Sequence, residues 1–152
     1  MVAASAPTLA ADPDHRRPGR SMSRALAVDP GEARLGLAVS DPGRMIARPL
    51  EVLPHTSRDD DARRIIDIAR REGADVIVVG VAYDSQGDLG PAARRGVRLA
   101  EAIRRAGFPQ VETFDESGTT QAALRLRRHD GMTDARAAAF LLQAYLDAAK
   151  TK

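Results

Sequence analysis

Between Ala25 and Asp41 two apolar runs flank a single acidic turn, and this pattern restricts the fold more than any other part of the chain. The first run, Ala25-Leu-Ala-Val28, ends in Asp29. Pro30 and Gly31 follow, and a second run returns at once from Leu35 to Val39. Two such runs around Pro-Gly predict a β-hairpin whose first strand presents an acid at its end. A carboxylate there suits a divalent cation beside a phosphate, because hard Mg²⁺ or Mn²⁺ favours oxygen ligands and needs few from protein. The same residues are also good turn chemistry: Asp bonds its downstream backbone, Pro fixes φ, and Gly accepts positive φ. On this segment alone both roles stand.

Downstream, Arg48 to Leu53 reads as a third strand, and Pro49 and Pro54 restrict it to an edge. Ser57 and Asp60 resemble a capping box. The helix they open carries Ala62, Ile65, Ile66 and Ala69 on one stripe and Arg63, Arg64, Arg70 and Arg71 on its charged side. Gly73 ends it. Val76 to Val79 is a continuous β-branched run, as in a strand buried on both faces. After a loop from Gly80 to Gly90, Pro91 opens a second helix with the stripe Ala93, Val97, Ala100 and Ile103. Val111 to Phe114 is the last strand. Thr119 or Thr120 caps a short helix through Arg128. Thr133 caps the final one, with Ala138, Leu141, Leu142, Tyr145 and Ala149 facing inward. The order βββαβαβαα gives an α/β fold. Its mixed five-stranded sheet has three antiparallel strands, two further parallel strands, and helices on both faces.

The length of 152 residues fits one domain with a proper core. Residues 1–22 differ in character, being rich in Ala, Pro, Asp and Arg without periodicity. They are expected to be a disordered arm before a domain over 23–152, with Met22 as an alternative start. Pro7 and Asp12 bracket only a short apolar run, so a secretory signal is not expected, no membrane association is foreseen, and a cytoplasmic location follows by default. The chain has no cysteine, which excludes disulfides and thiolate metal sites. Net charge is only +2, but Lys150 and Lys152 are the sole lysines. Arginine's planar fork suits phosphate; arginine-rich coding also follows from genomic base composition.

Three acids share one place in this plan. Asp29 ends the first strand, Glu116 lies just past the last, and Asp134 begins the final helix. Carboxyl ends of neighbouring parallel strands share one sheet edge, where open α/β sheets bind ligands. Three acids there would hold one or two Mg²⁺ or Mn²⁺ ions for phosphodiester hydrolysis. Each also has an ordinary role, Asp134 as a favourable charge at a helix start and Glu116 as a turn residue. Asp41, before Pro42, fits a turn better than a ligand set. His15, His55 and His129 lack metal-site spacing, and Ser40 and Ser117 have no triad partners.

Taken together, these segments resemble the YqgF/RuvX family, which is similar to Holliday junction resolvases and shares their RNase H-like fold. The resemblance runs from about Ser23 to Ala148. It rests on Ala27 to Asp41, Asp75-Val-Ile-Val-Val-Gly80, Gly87 to Pro91, Asp115-Glu116 with Thr119-Thr120, and Asp134 with Ala137 to Gln143. It implies a metal-dependent nuclease, assigned to maturation of small-subunit ribosomal RNA precursor or to branched DNA. It also implies catalytic and metal-binding roles for Asp29, Glu116 and Asp134 with Mg²⁺ or Mn²⁺. The related resolvases take a glutamate from the middle strand instead, but Val78 to Ala82 has no acid here.

The chain departs from the family pattern in three places. Val81-Ala-Tyr-Asp84 replaces a loop with Pro and Asn. Ser117-Gly-Thr119 replaces Arg-Leu-Thr after the Asp-Glu pair. A short Arg127 to Thr133 stands where a longer lysine-rich loop is usual. Expected nucleic-acid contacts are Arg34, Arg127, Arg128, Arg136, Thr119 and Thr120. Aromatic residues are only 3% of the chain, so phosphate contacts rather than base stacking must supply affinity. Two alternatives stand beside an RNA-processing nuclease. One is a junction resolvase, which needs a homodimer to cut two strands symmetrically. The other is a binding module that cleaves weakly. Actin-like sugar kinases share the fold, but they need two such lobes and this chain holds one.

Overall fold

The computed structural model describes residues 23–83, 86–116 and 131–150. The arm over 1–22, the short helix expected after Thr119 or Thr120, and the contacts expected from Thr119, Thr120, Arg127 and Arg128 lie outside the described residues. Strands β1 (Arg24–Pro30) and β2 (Arg34–Ser40) pair antiparallel with Asp29 opposite Gly36, forming the hairpin expected around Pro30 and Gly31. Gly31 does not use positive φ. A Cβ there would sit 2.8 Å from the carbonyl oxygen of Arg34, so this turn needs glycine for its narrowness.

Strand β3 (Ala47–Pro54) follows, then helix α1 (Arg58–Glu72), β4 (Ala74–Val81), α2 (Pro91–Arg105), β5 (Val111–Asp115) and α3 (Thr133–Lys150). Sheet order is β3-β2-β1-β4-β5, with β1–β4 and β4–β5 parallel. As its prolines require, β3 takes an edge, and its register with β2 shifts beside Pro49. Ser57 caps α1 by accepting the Asp60 amide at 3.2 Å. Gly73 ends that helix at φ 75°, a left-handed position glycine occupies without strain.

The pleat divides the sheet's side chains between two cores. Leu26, Val28, Leu37, Ile77 and Val79 point to α1 and α2. Ala25, Ala27, Ala38, Val76 and Val78 point to α3, where they meet Ala138, Leu141, Leu142 and Leu146. Each fully buried Leu, Ile or Val contributes roughly 1.5–3 kcal/mol. The alanines on the second face let α3 lie close over β1 and β2.

Two helix stripes differ from expectation. In α2, Val97 is only partly buried, while Gly96 and Leu99 go inside. A Cβ on Gly96 would stand 2.5 Å from the Gly80 carbonyl oxygen, so the helix turns its glycine toward β4. In α3, Leu146 is buried, Tyr145 is half-buried, and Ala149 is exposed. The Arg136 amide donates to the Met132 carbonyl at 2.9 Å, which makes Thr133 the first helical residue rather than the cap.

Candidate active site

Asp29 is the penultimate residue of β1 and only 3% exposed. Strand alternation sends its side chain to the same face as Ala25 and Ala27, toward α3. The strand on each side of it carries a glycine at that level. Gly36 is its partner on β2. Gly80 follows Val79, the partner of Val28, and so continues the parallel register beside Asp29. By the same alternation, both glycines turn their missing side chains to the α3 face.

That missing volume is filled by the other two acids. A Cβ on Gly80 would lie 2.8–2.9 Å from the carboxylate of Glu116, which folds back over β4 from just past β5. The Glu116 amide donates to the Val81 carbonyl at 3.0 Å and extends the β4–β5 pairing by one bond. A Cβ on Gly36 would lie 1.9 Å from the carbonyl oxygen of Asp134 and 2.9 Å from the Ala135 amide. The first turn of α3 therefore rests on bare β2 backbone. The three acids come from β1, the end of β5 and the start of α3, and all three lie toward one end of one sheet face.

Arg34 opens β2, and its Nε donates to Asp134 Oδ2 at 3.1 Å. It is 62% exposed, which leaves the guanidinium facing solvent at the rim. Among the described residues no group of three acidic or imidazole side chains is placed closely enough to hold a metal ion. The donor set of Asp29, Glu116 and Asp134 is all oxygen, which is the chemistry a hard divalent cation takes.

Arg136, in the first turn of α3, borders a hollow with Ala47, Pro49 and Phe140 toward the β3 edge. Asp41 is a turn residue, as expected: its Oδ1 accepts the Met45 and Ile46 amides at 2.7 and 2.8 Å, and these bonds hold its carboxyl below the usual range. Ser40 is fully buried and accepts the Ala25 amide at 2.9 Å, a structural role. His55 pairs with Asp61, which is buried at the start of α1. Burial pushes the Asp61 carboxyl up, but His55, the Thr56 amide and Arg64 together hold it below its ordinary value. Sequence reasoning missed the part played by Gly36 and Gly80. Their signal was one glycine in each strand beside Asp29.

A five-stranded α/β sheet of this order is the arrangement of the RNase H-like folds. The profile of the RuvX family, described as Holliday junction resolvase, matches residues 23–148, and the chain belongs to that family. Similar curated proteins include one from Acidiphilium cryptum, 35% identical over 134 residues, spanning 82% of this chain and 84% of that protein. One from an Anaeromyxobacter species is 39% identical over 132 residues, spanning 82% and 96%. Both are named as candidate pre-16S rRNA nucleases. Among solved structures, Thermus thermophilus RuvC bound to a Holliday junction superposes with TM-score 0.52 at 18% identity, covering 84% of this chain and 96% of that one. The likeness confirms the RNase H-like fold.

Proposed function

We propose that this protein is a metal-dependent nuclease that hydrolyses phosphodiester bonds of RNA in the maturation of small-subunit ribosomal RNA precursor. The observation that carries the proposal is that Asp29, Glu116 and Asp134 share one end of the α3 face, with a glycine on each strand beside Asp29 letting Glu116 and the start of α3 come down on the sheet. The names of relatives at 35% and 39% identity support RNA over branched DNA. A cytoplasmic setting goes with that substrate.

Asp29 is the fixed member, held by a strand paired on both sides. The Glu116 carboxylate lies over Gly80 on the neighbouring strand, and Arg34 holds Asp134 Oδ2. Bound Mg²⁺ or Mn²⁺ would supply a Lewis acid that activates water and stabilises the leaving oxygen. Arg34 stands at the rim, where its exposed fork can take a phosphate oxygen of the strand and fix its approach.

The test is cleavage of labelled single-stranded RNA, single-stranded DNA and a four-way junction with Mn²⁺, Mg²⁺ or EDTA. Metal-dependent cutting of RNA, lost in Asp29→Asn with binding kept, is expected. Preferential cutting of the junction would favour a resolvase, and binding without cutting in any metal would leave a binding module.

A further inference from the structure

A second cleft lies on the other face of the sheet. It has a volume of about 330 Å³ and is bounded by the Pro30-Gly31-Glu32 turn, the start of α1 and the start of α2. Four arginines line it: Arg58 from the first residue of α1, and Arg94, Arg95 and Arg98 from α2. Residues 94, 95 and 98 share one helix face, where like charges at this spacing repel. No acid stands in the first turn of α2, so the helix adds its positive end to the same cleft.

The opposing charge is slight. Glu32 approaches Arg95 at 3.7 Å but is 87% exposed. Asp61 also lines the cleft, yet His55 and Arg64 already engage it. Arg94 donates to the Leu89 carbonyl at 2.7 Å, which fixes its direction without neutralising it. Arg58 and Arg98 have no ion-pair partner among the described residues. Four cations held together, with an acid left to answer only one of them, call for an anion from outside. Planar guanidinium forks select phosphate. The mouth at Gly31 is two residues from Asp29, a chain distance of roughly 7 Å, so one strand reaches both places.

We infer that this cleft binds phosphodiester groups of the same single-stranded RNA that lies across the acids, gripping the strand beyond the β1–β2 turn. The inference rests on the proposed nuclease function and identifies a strand-binding subsite for it.

Fluorescence anisotropy of labelled single-stranded RNA, titrated across salt, tests this. The Asp29→Asn protein serves as the non-cleaving parent. Adding Arg58→Ala, Arg94→Ala and Arg98→Ala should weaken binding at least about tenfold at low salt. The slope of log K against log salt should become shallower by about 2, from roughly 0.7 per lost phosphate contact. Lysine at all three positions should restore most of the slope. Arg98→Glu alone, on an exposed helix position, should act in the same direction if the triple variant folds poorly. Unchanged affinity and slope would overturn the inference. Inorganic pyrophosphate binding that depends on these arginines while RNA binding does not would also overturn it, leaving a small-anion site. No RNA binding by the parent at any salt would instead remove the nuclease proposal itself.

Discussion

At the scale of single residues, the two glycines beside Asp29 are separable in their consequences. At Gly80 an added methyl meets the far end of a flexible side chain, the Glu116 carboxylate. At Gly36 it meets the α3 backbone at Asp134 and Ala135, which cannot yield without moving the helix. Gly80→Ala should therefore unfold within about 1 kcal/mol of wild type yet lose metal-dependent cleavage. Gly36→Ala should cost about 3 kcal/mol or more, as severe overpacking does. Urea unfolding beside the cleavage assay reads both, and equal stability losses would mean that Glu116 is not free to be displaced alone. Tyr145 is a different case. Burial first, and then its bond to Glu112 at 2.9 Å, push its phenol up to about 12. A raised folded value favours the neutral form, so its contribution is whole below pH ~10 and fades as pH rises toward 12. Tyr145→Phe should remove about 1–2 kcal/mol of that alkaline loss, measured as the difference in unfolding free energy between the two proteins across that range.

At the scale of elements, the hairpin, the edge strand and both crossovers were legible because their signals are local. Prolines 49 and 54 mark an edge whatever lies beside it, and Gly73 ends a helix through its own dihedral. The inward face of α2 holds Ala93, Ala100 and Ile103 as periodicity predicts, and only Val97 gives way, because close approach to β4 requires Gly96. Likewise Leu146, not Ala149, is buried, because α3 meets the sheet over its first three and a half turns only. The Arg34–Asp134 bond spans 100 positions and no local pattern announces it. The arginines of α2 were overlooked because a polar helix face reads alike whether it meets water or a ligand. The start of α1 depends on Asp61, which ties Thr56, His55 and Arg64 together. Asp61→Ala should cost about 2–4 kcal/mol in thermal or urea unfolding, because it strands Arg64 and the Thr56 amide. Its lowered carboxyl contributes stability above the ordinary value of 3.8, and that stability drains as pH falls through the lower folded value. A loss below about 0.5 kcal/mol would show that the network relaxes around the gap.

At the scale of the whole molecule, the sheet separates two kinds of chemistry. The α3 face gathers carboxylates at the carboxyl end of β1, and the α1–α2 face gathers arginines around the same end. The β1–β2 turn runs between them, so the inferred strand-binding cleft and the proposed cleavage site would be served by one strand crossing that turn. No described helix is long and apolar enough to cross a membrane. The family match covers nearly all of the chain outside residues 1–22. The three departures expected from the family pattern, at Val81 to Asp84, Ser117 to Thr119 and Arg127 to Thr133, leave Asp29, Glu116 and Asp134 in place.

Manganese titration followed by electron paramagnetic resonance tests the central claim most directly, with wild type beside Asp29→Asn, Glu116→Gln and Asp134→Asn. The account predicts saturable Mn²⁺ binding by wild type that weakens at least tenfold in each variant, with Asp29→Asn the most severe. Binding that is equal in all four proteins would contradict it, because the three carboxylates would then not form one cation site.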